Sequence, residues 1–260
     1  MYSILKGTVY ISLLVQLIAG IFGVHGLLIP LSKEDQILRE VLIMEMVVQL
    51  IEFIFYLWLA YGLFSYKRSK KPDFPLFDIT KRRYIDWFIT TPTMLLSMVI
   101  FLQYLKIKQK KNNSEDLSDP SRDKDEKEIS FGEFLETHKK FIGLIVLSNA
   151  MMLIFGYLVE NGQIEKYTGI GIGFIFLLIS FGLMYKEFAQ HTEEGKILFF
   201  FMFFIWSLYG VAAIFPFYVK NISYNVLDIF AKNFFGLFLY AIILWKRPQE
   251  SPSIESLYVN

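Results

Sequence analysis

The chain has 260 residues, of which 54% are hydrophobic and 18% aromatic, and its mean hydropathy is +0.43. This composition is too apolar for an ordinary soluble domain and is typical of a protein with several membrane spans. The formal net charge of +1 provides no overall electrostatic attraction to nucleic acid. Cysteine is absent, which excludes disulfides and thiol chemistry, and the three histidines are too scattered to form a metal site.

Seven apolar segments are long enough to cross a bilayer, because a spanning helix needs about 20 largely apolar residues. In chain order, we expect helices over residues 4–29, 36–64, 79–105, 137–159, 167–188, 196–218 and 221–245. The first segment lacks the short hydrophobic core and cleavage site of a signal peptide, so we interpret it as a retained span. The sequence therefore predicts an all-α membrane protein whose residues 1–248 form a seven-transmembrane helix bundle.

One connection between the spans is much longer than the others. Residues 106–140 contain the run NNSEDLSDPSRDKDEKE, whose charged and serine-rich composition predicts a solvated polar loop, and residues 249–260 form a short polar tail. Lysine and arginine near the span ends number 15 on one side of the membrane and 9 on the other. This bias predicts an outside N-terminus and an inside C-terminus, although the basic connection after the second segment argues for the opposite orientation.

The third segment carries an ionisable pair within an apolar span. It reads RYIDWFITTP from Arg83 to Pro92. Arg83 and Asp86 are three residues apart, and Asp86 and Thr90 are four apart, so the three side chains share one face of a helix.

The seventh segment carries Lys232 at its middle, with Asp228 one helical turn earlier. A charged side chain at bilayer depth costs about 2.5–3.5 kcal/mol on insertion scales, so it persists where it has a partner and a function. A lysine that faces a carboxylate suits a covalent Schiff base to an aldehyde cofactor, with the carboxylate as counter-ion. Lys232 and Arg83 can balance Asp86 and Asp228, and the alternative is a structural ion pair that only holds helices together.

Three motifs together resemble the microbial rhodopsins. They are RYxDWxxTTP in the third segment, W-x-x-Y at Trp206 and Tyr209, and D-x-x-x-K at Asp228 and Lys232. The resemblance covers all seven segments in order and excludes the long insert. It implies a photoreceptor that transports protons or small cations and is not an enzyme. It also implies all-trans retinal bound as a Schiff base on Lys232, and a homo-oligomer in the lipid bilayer.

The same resemblance implies roles for individual side chains. Asp86 would accept the Schiff-base proton, and Asp228 would be the second counter-ion. Trp87 and Trp206 would enclose the polyene between aromatic walls. The other implied positions are Thr90 beside Asp86, Arg83 as outward gate, Tyr209 bonded to Asp228, and Thr91, Met152 and Gly156 in the pocket.

Two departures bear on the transport activity. Ser97 stands eleven residues after Asp86, where many outward proton pumps of this family carry a carboxylate donor, and serine cannot supply a proton as a carboxylic acid can. Glu45 and Glu52 lie seven residues apart on one face of the second segment, and Glu45 could replace the donor. The triad of Asp86, Thr90 and Ser97 with these glutamates resembles the rhodopsins of giant viruses that infect algae and protists.

Three roles are open for the polar side chains of the first, second and seventh segments. Glu45 could donate a proton, the whole set could hold water and conduct cations, or it could form static hydrogen bonds between helices. The set consists of Ser12, Gln16, Glu45, Glu52, Asn225 and Asn233. We favour an outward proton pump that transfers a proton from Lys232 to Asp86, over a light-gated cation channel, with a photosensory receptor as a second alternative.

Overall fold

The computed structural model describes residues 1–68, 75–115 and 131–248, and these contain seven long helices and no strand. All seven are long and apolar enough to cross a membrane, which confirms the predicted number of spans. The helices are α1 (Tyr2–Leu28), α2 (Gln36–Arg68), α3 (Ile79–Glu115), α4 (Phe131–Glu160), α5 (Lys166–Glu187), α6 (Glu193–Ala213) and α7 (Phe217–Lys246). Single turns of 3₁₀ helix precede α2, α3 and α6 at Lys33–Asp35, Leu76–Asp78 and Ala189–His191.

Helical structure extends into both ends of the predicted loop at 106–140. Helix α3 continues to Glu115 and α4 begins at Phe131, so both are longer than the sequence predicts. On α3, Lys108 and Lys111 form ion pairs with Glu34, which hold this extension against the 3₁₀ turn before α2. On α4, Phe134 is buried in the core and anchors the first turns. The remainder of the predicted loop, 116–130, and the tail, 249–260, lie outside the described residues.

Helix α6 ends at Ala213, five residues before the predicted end of the sixth span. Pro216 is the N-cap residue of α7. Proline has no backbone N–H to donate, so Pro216 does not continue α6. Phe217 and Tyr218 therefore belong to α7.

The helices form a ring in which each packs against the next and α7 closes the ring against α1 and α2. Large apolar side chains such as Ile21, Tyr61 and Ile197 are exposed on the outside of the bundle. Charged side chains such as Arg83 and Lys232 are buried on the inside. This distribution suits a protein that faces lipid and encloses a polar centre.

The middle of α7 is a π-helical segment, Ile229–Asn233, between α-helical Phe217–Asp228 and Phe234–Lys246. A π-turn closes its hydrogen bonds over five residues instead of four, and such turns occur frequently at functional sites. The wider turn changes the angle about the helix axis between Asp228 and Lys232 from that of a regular α-helix. The two side chains can therefore face different partners.

Candidate functional site

Lys232 lies at the centre of the bundle and faces two carboxylates. Its Nζ lies 2.5 Å from Oδ2 of Asp86 on α3 and 3.8 Å from Oε1 of Glu52 on α2. All three side chains are buried. Helices α2, α3 and α7 thus bring together one cation and two acids that are far apart in sequence.

Asp228 is engaged by other donors. Arg83 Nη1 donates to its Oδ2 at 2.9 Å, Tyr56 Oη donates to the same oxygen at 2.7 Å, and Tyr209 Oη donates to Oδ1 at 2.7 Å. None of the described ion pairs joins Lys232 to Asp228. The resemblance implied that Asp228 is the second counter-ion, whereas in the structure Glu52 is the second carboxylate within 4 Å of Lys232.

Arg83 is fully buried and extends this network towards the start of α7. Its Nε donates to Oδ1 of Asn221 at 3.3 Å, and its Nη2 donates to Oδ1 of Asn225. Asn221 in turn donates to Thr80 Oγ1 at 2.9 Å. Arg83 is therefore held by two asparagines of α7, in addition to its ion pair with Asp228 on the same helix.

The threonines after Asp86 bond to the main chain of their own helix. Thr90 Oγ1 donates to the backbone oxygen of Asp86 at 2.9 Å, and Thr91 Oγ1 donates to that of Trp87 at 2.8 Å. Thr91 also accepts a hydrogen bond from Asn149 on α4 at 2.7 Å. Within the part of the chain that the structure describes, Oδ1 of Asp86 has no hydrogen-bond partner. Thr90 therefore contacts the backbone of Asp86, and the carboxylate retains a free oxygen.

An apolar cavity reaches Lys232 from the side of α4, α5 and α6. Its walls include all of the predicted pocket residues, namely Trp87, Thr91, Met152, Gly156, Trp206 and Tyr209. Lys232 is the one lysine among the residues that line it. Aromatic walls suit a flat conjugated ligand, and one amine at the edge allows an aldehyde to be attached at a single point. The residues present thus fit a retinal.

Ser97 on α3 and Glu45 on α2 contact each other across the interface between the two helices. Ser97 Oγ donates to Oε1 of Glu45, and both side chains are fully buried. Ser97 also contacts the backbone oxygen of Met94 at 2.9 Å. The structure therefore brings together the serine that replaces the usual donor and the glutamate proposed to substitute for it.

The other buried polar side chains between α1, α2 and α7 differ in the hydrogen bonds that they make within the described residues. Ser12 donates to the backbone oxygen of Asn225 at 2.9 Å, and Asn225 donates to Thr8 Oγ1 at 2.8 Å. In contrast, neither polar atom of the Gln16, Glu52 or Asn233 side chain has a hydrogen-bond partner among the described residues. The same is true of one oxygen each of Glu45 and Gln49.

Four residues of this site were not singled out from the sequence. Tyr56 and Gln49 lie four residues after and three residues before Glu52, so the face that Glu52 shares with Glu45 could have indicated them. Asn221 lies four residues before Asn225 and could have been found in the same way. No comparable spacing pointed to Asn149, because it lies on α4 and reaches Thr91 across a helix interface.

A family model for bacteriorhodopsin-like proteins matches residues 7–245 of the chain. The chain is a microbial rhodopsin. No curated protein sequence shows significant similarity to it. It is an integral, multi-pass membrane protein, and membership of this family implies a retinal chromophore.

Solved structures of other rhodopsins share its fold. The viral rhodopsin OLPVRII is 24% identical with a TM-score of 0.73, and the match covers 93% of this chain and 98% of that one. Xanthorhodopsin, a light-driven ion pump with a dual chromophore, is 14% identical with a TM-score of 0.68 and coverage of 95% and 94%. Bromide-bound halorhodopsin from Halobacterium salinarum is 15% identical with a TM-score of 0.62 and coverage of 93% and 93%. Light-driven transport of ions is thus represented among structures that are similar to this rhodopsin.

Proposed function

We propose that this rhodopsin is a light-gated cation channel with retinal attached to Lys232, and that cations cross it between α1, α2 and α7. The observation that carries the proposal is that the polar side-chain atoms of Gln16, Glu52 and Asn233 are buried and make no hydrogen bond with any described residue. Each such atom costs about 1–3 kcal/mol unless water or an ion satisfies it. Static hydrogen bonds between helices do not account for these atoms, whereas a hydrated ion path does.

Two glutamates favour cations along this path. Glu52 and Glu45 are fully buried and lie on one face of α2, about 10.5 Å apart along the helix axis. Carboxylate oxygens bind cations and repel anions, so two such groups one after the other along the path disfavour the passage of chloride. We therefore expect the current to be carried by cations.

The charge on Lys232 supports a means of gating by light. Retinal, when bound, would supply the absorbing polyene and a light-driven change of shape next to Nζ. Asp86 Oδ2, 2.5 Å from Nζ, would take the proton from that nitrogen. Because Glu52 lies 3.8 Å from Nζ, loss of the positive charge removes the repulsion that a cation near Glu52 would meet.

Arg83 would form a second barrier to cations on the same path. It is fully buried and is bonded to Asp228, Asn221 and Asn225. Asn225 is one of the polar side chains that line the proposed path. A cation that passes Asn225 must therefore displace the guanidinium, so we expect opening to require a movement of Arg83.

The contact between Ser97 and Glu45 favours a second candidate function, the outward proton pump. In this case Asp86 would accept the proton from Lys232, and Glu45 would return a proton to it from the opposite side. Glu45 would then act as the proton donor, because Ser97 cannot supply a proton as a carboxylic acid can.

Photocurrents recorded under voltage clamp distinguish the two functions. We expect a current that reverses when the cation gradient is reversed, and a smaller current in the Glu52→Gln variant. Lys232→Ala should abolish both the visible absorption band and the current. A current that keeps its sign near zero driving force would contradict the channel and support the pump. An intact band without any current would instead support a photosensory receptor.

A further inference from the structure

We infer that Gln49 is the residue at which a cation passes between Glu52 and Glu45, and that Gly236 of α7 provides the space for its side chain. The inference rests on the proposed channel and adds to it a residue that determines which ions are conducted.

Gln49 lies between the two glutamates on the same face of α2. It is four residues after Glu45 and three before Glu52, which corresponds to about 6 Å and about 4.5 Å along the helix axis. Its side chain is buried, as are those of both glutamates. Gln49 therefore divides the distance between the two carboxylates into two short steps.

Gly236 explains how the Gln49 side chain fits against α7. A Cβ atom at position 236 would lie 2.5 Å from Nε2 of Gln49 and 4.0 Å from Cβ of Glu45. The first distance is shorter than a van der Waals contact allows, so any other residue at 236 would displace the amide. Because Gly236 comes four residues after Lys232, this space lies one helical turn beyond the proposed gate.

The Oε1 atom of Gln49 is buried and has no hydrogen-bond partner in residues 1–68, 75–115 and 131–248. An amide oxygen is a ligand for metal cations, and it is available to bind one here because the protein does not use it. The amide does not ionise, so it cannot take up and release protons as a glutamate does. These properties suit the transfer of a partly dehydrated cation from one carboxylate to the next.

Substitutions at both positions test this inference in the full-length pigment. Gln49→Leu keeps the approximate size of the side chain and removes both polar atoms. We expect it to reduce the reversible photocurrent by about tenfold or more, since an apolar side chain offers no ligand to a cation at bilayer depth. The visible band and the infrared signal of protonated Asp86 should not change, since none of the described hydrogen bonds joins Gln49 to Lys232 or Asp86.

Gly236→Ala should also lower the current, because it displaces the amide. Gly20→Ala on α1 is the matched control, since a Cβ atom at Gly20 has no neighbour within 4 Å. Gln49→Glu keeps an oxygen in place and adds a charge, so it should retain the current and raise the permeability to Ca²⁺ relative to Na⁺.

The outcomes separate this inference from the channel itself. A wild-type current that reverses, together with an unaltered current in Gln49→Leu, overturns the role of Gln49 and leaves the channel intact. A wild-type current that does not reverse overturns the proposed channel and, with it, the role of Gln49 in conduction. If Gln49→Leu fails to form pigment, Gln49→Glu decides the matter, and an unchanged permeability ratio overturns the inference.

Discussion

At the scale of single residues, the two central aspartates differ in the donors that surround them. Asp228 receives hydrogen bonds from Arg83, Tyr56 and Tyr209, so both of its oxygens are occupied. Asp86 contacts Lys232 through Oδ2 and has a free Oδ1. We therefore propose Asp86 as the proton acceptor, whereas Asp228 is engaged with Arg83.

The hydroxyl of Tyr56 gives a test of this division. Tyr56→Phe removes one of the donors to a buried carboxylate, and we expect the free energy of unfolding to fall by about 1–2 kcal/mol. The measurement is unfolding in mixed micelles, followed by loss of the visible band. Tyr61→Phe is the control, because Tyr61 is 75% exposed. Equal stability of the two variants would show that the Tyr56 hydroxyl does not stabilise Asp228.

Glu165 carries a pH-dependent interaction outside the spans. Its carboxylate caps α5 by accepting hydrogen bonds from the backbone N–H groups of Thr168 at 2.7 Å and Tyr167 at 3.0 Å. The bond from Thr168, followed by that from Tyr167, lowers the pKa of Glu165 below its usual value. The cap is therefore fully formed above the pKa of the unfolded chain and is lost as the pH falls through the lower, folded value.

Hydrogen exchange at these two amides measures the cap. Comparison with Glu165→Ala at each pH cancels the intrinsic dependence of exchange on pH. At neutral pH we expect slower exchange at Tyr167 and Thr168 in the wild type than in the variant, and the difference should disappear in acid. A difference that does not change with pH would contradict the capping role of the carboxylate.

At the scale of whole helices, ion pairs and hydrogen bonds hold the 3₁₀ turn before α2 against the extended end of α3. Lys108 Nζ lies 3.0 Å from Oδ1 of Asp35 and 3.0 Å from Oε2 of Glu34, and Tyr104 Oη donates to Asp35 at 2.7 Å. Ser32 also donates to Asp35 at 2.9 Å. These contacts give a physical reason for the continuation of α3 beyond the predicted end of the third span.

Asp35→Asn tests how strongly this cluster holds the two helices together. Asp35 is buried and Lys108 is partly exposed, so we expect a loss of about 1–3 kcal/mol in the free energy of unfolding. Lys139→Gln disrupts an ion pair with Glu136 in which both side chains are at least 70% exposed, and it should have almost no effect. Unfolding in mixed micelles compares the two variants, and an equal response would contradict the structural role of the Asp35 cluster.

At the scale of the whole molecule, the distribution of lysine and arginine predicts how the rhodopsin is inserted. The 15 basic residues on the proposed inner side, against 9 on the outer side, favour an outside N-terminus and an inside C-terminus. An epitope tag at the C-terminus should therefore bind antibody only after the cells are permeabilised. A tag at the N-terminus is the matched control and should bind antibody on intact cells. The reverse labelling pattern would show that the basic connection after α2 sets the orientation instead.

Local patterns in the chain were sufficient to predict the seven spans and the family. Apolar length is a property of each segment alone, and the motifs around Asp86 and Lys232 lie within single helices. The same spacing correctly placed Glu45 and Glu52 on one face of α2, where both are buried. These predictions depend only on residues that are close together in the sequence, so they required no knowledge of how the helices pack.

Contacts between helices could not be obtained in this way. Asp228 and Lys232 are four residues apart, which predicts a pair, yet the π-turn and the donors Tyr56 and Arg83 give Asp228 other partners. Glu52 lies near Lys232 only because α2 packs against α7 at that depth. The distance between two side chains on different helices depends on the rotation and packing of both helices, and a single helical pattern contains no information about either.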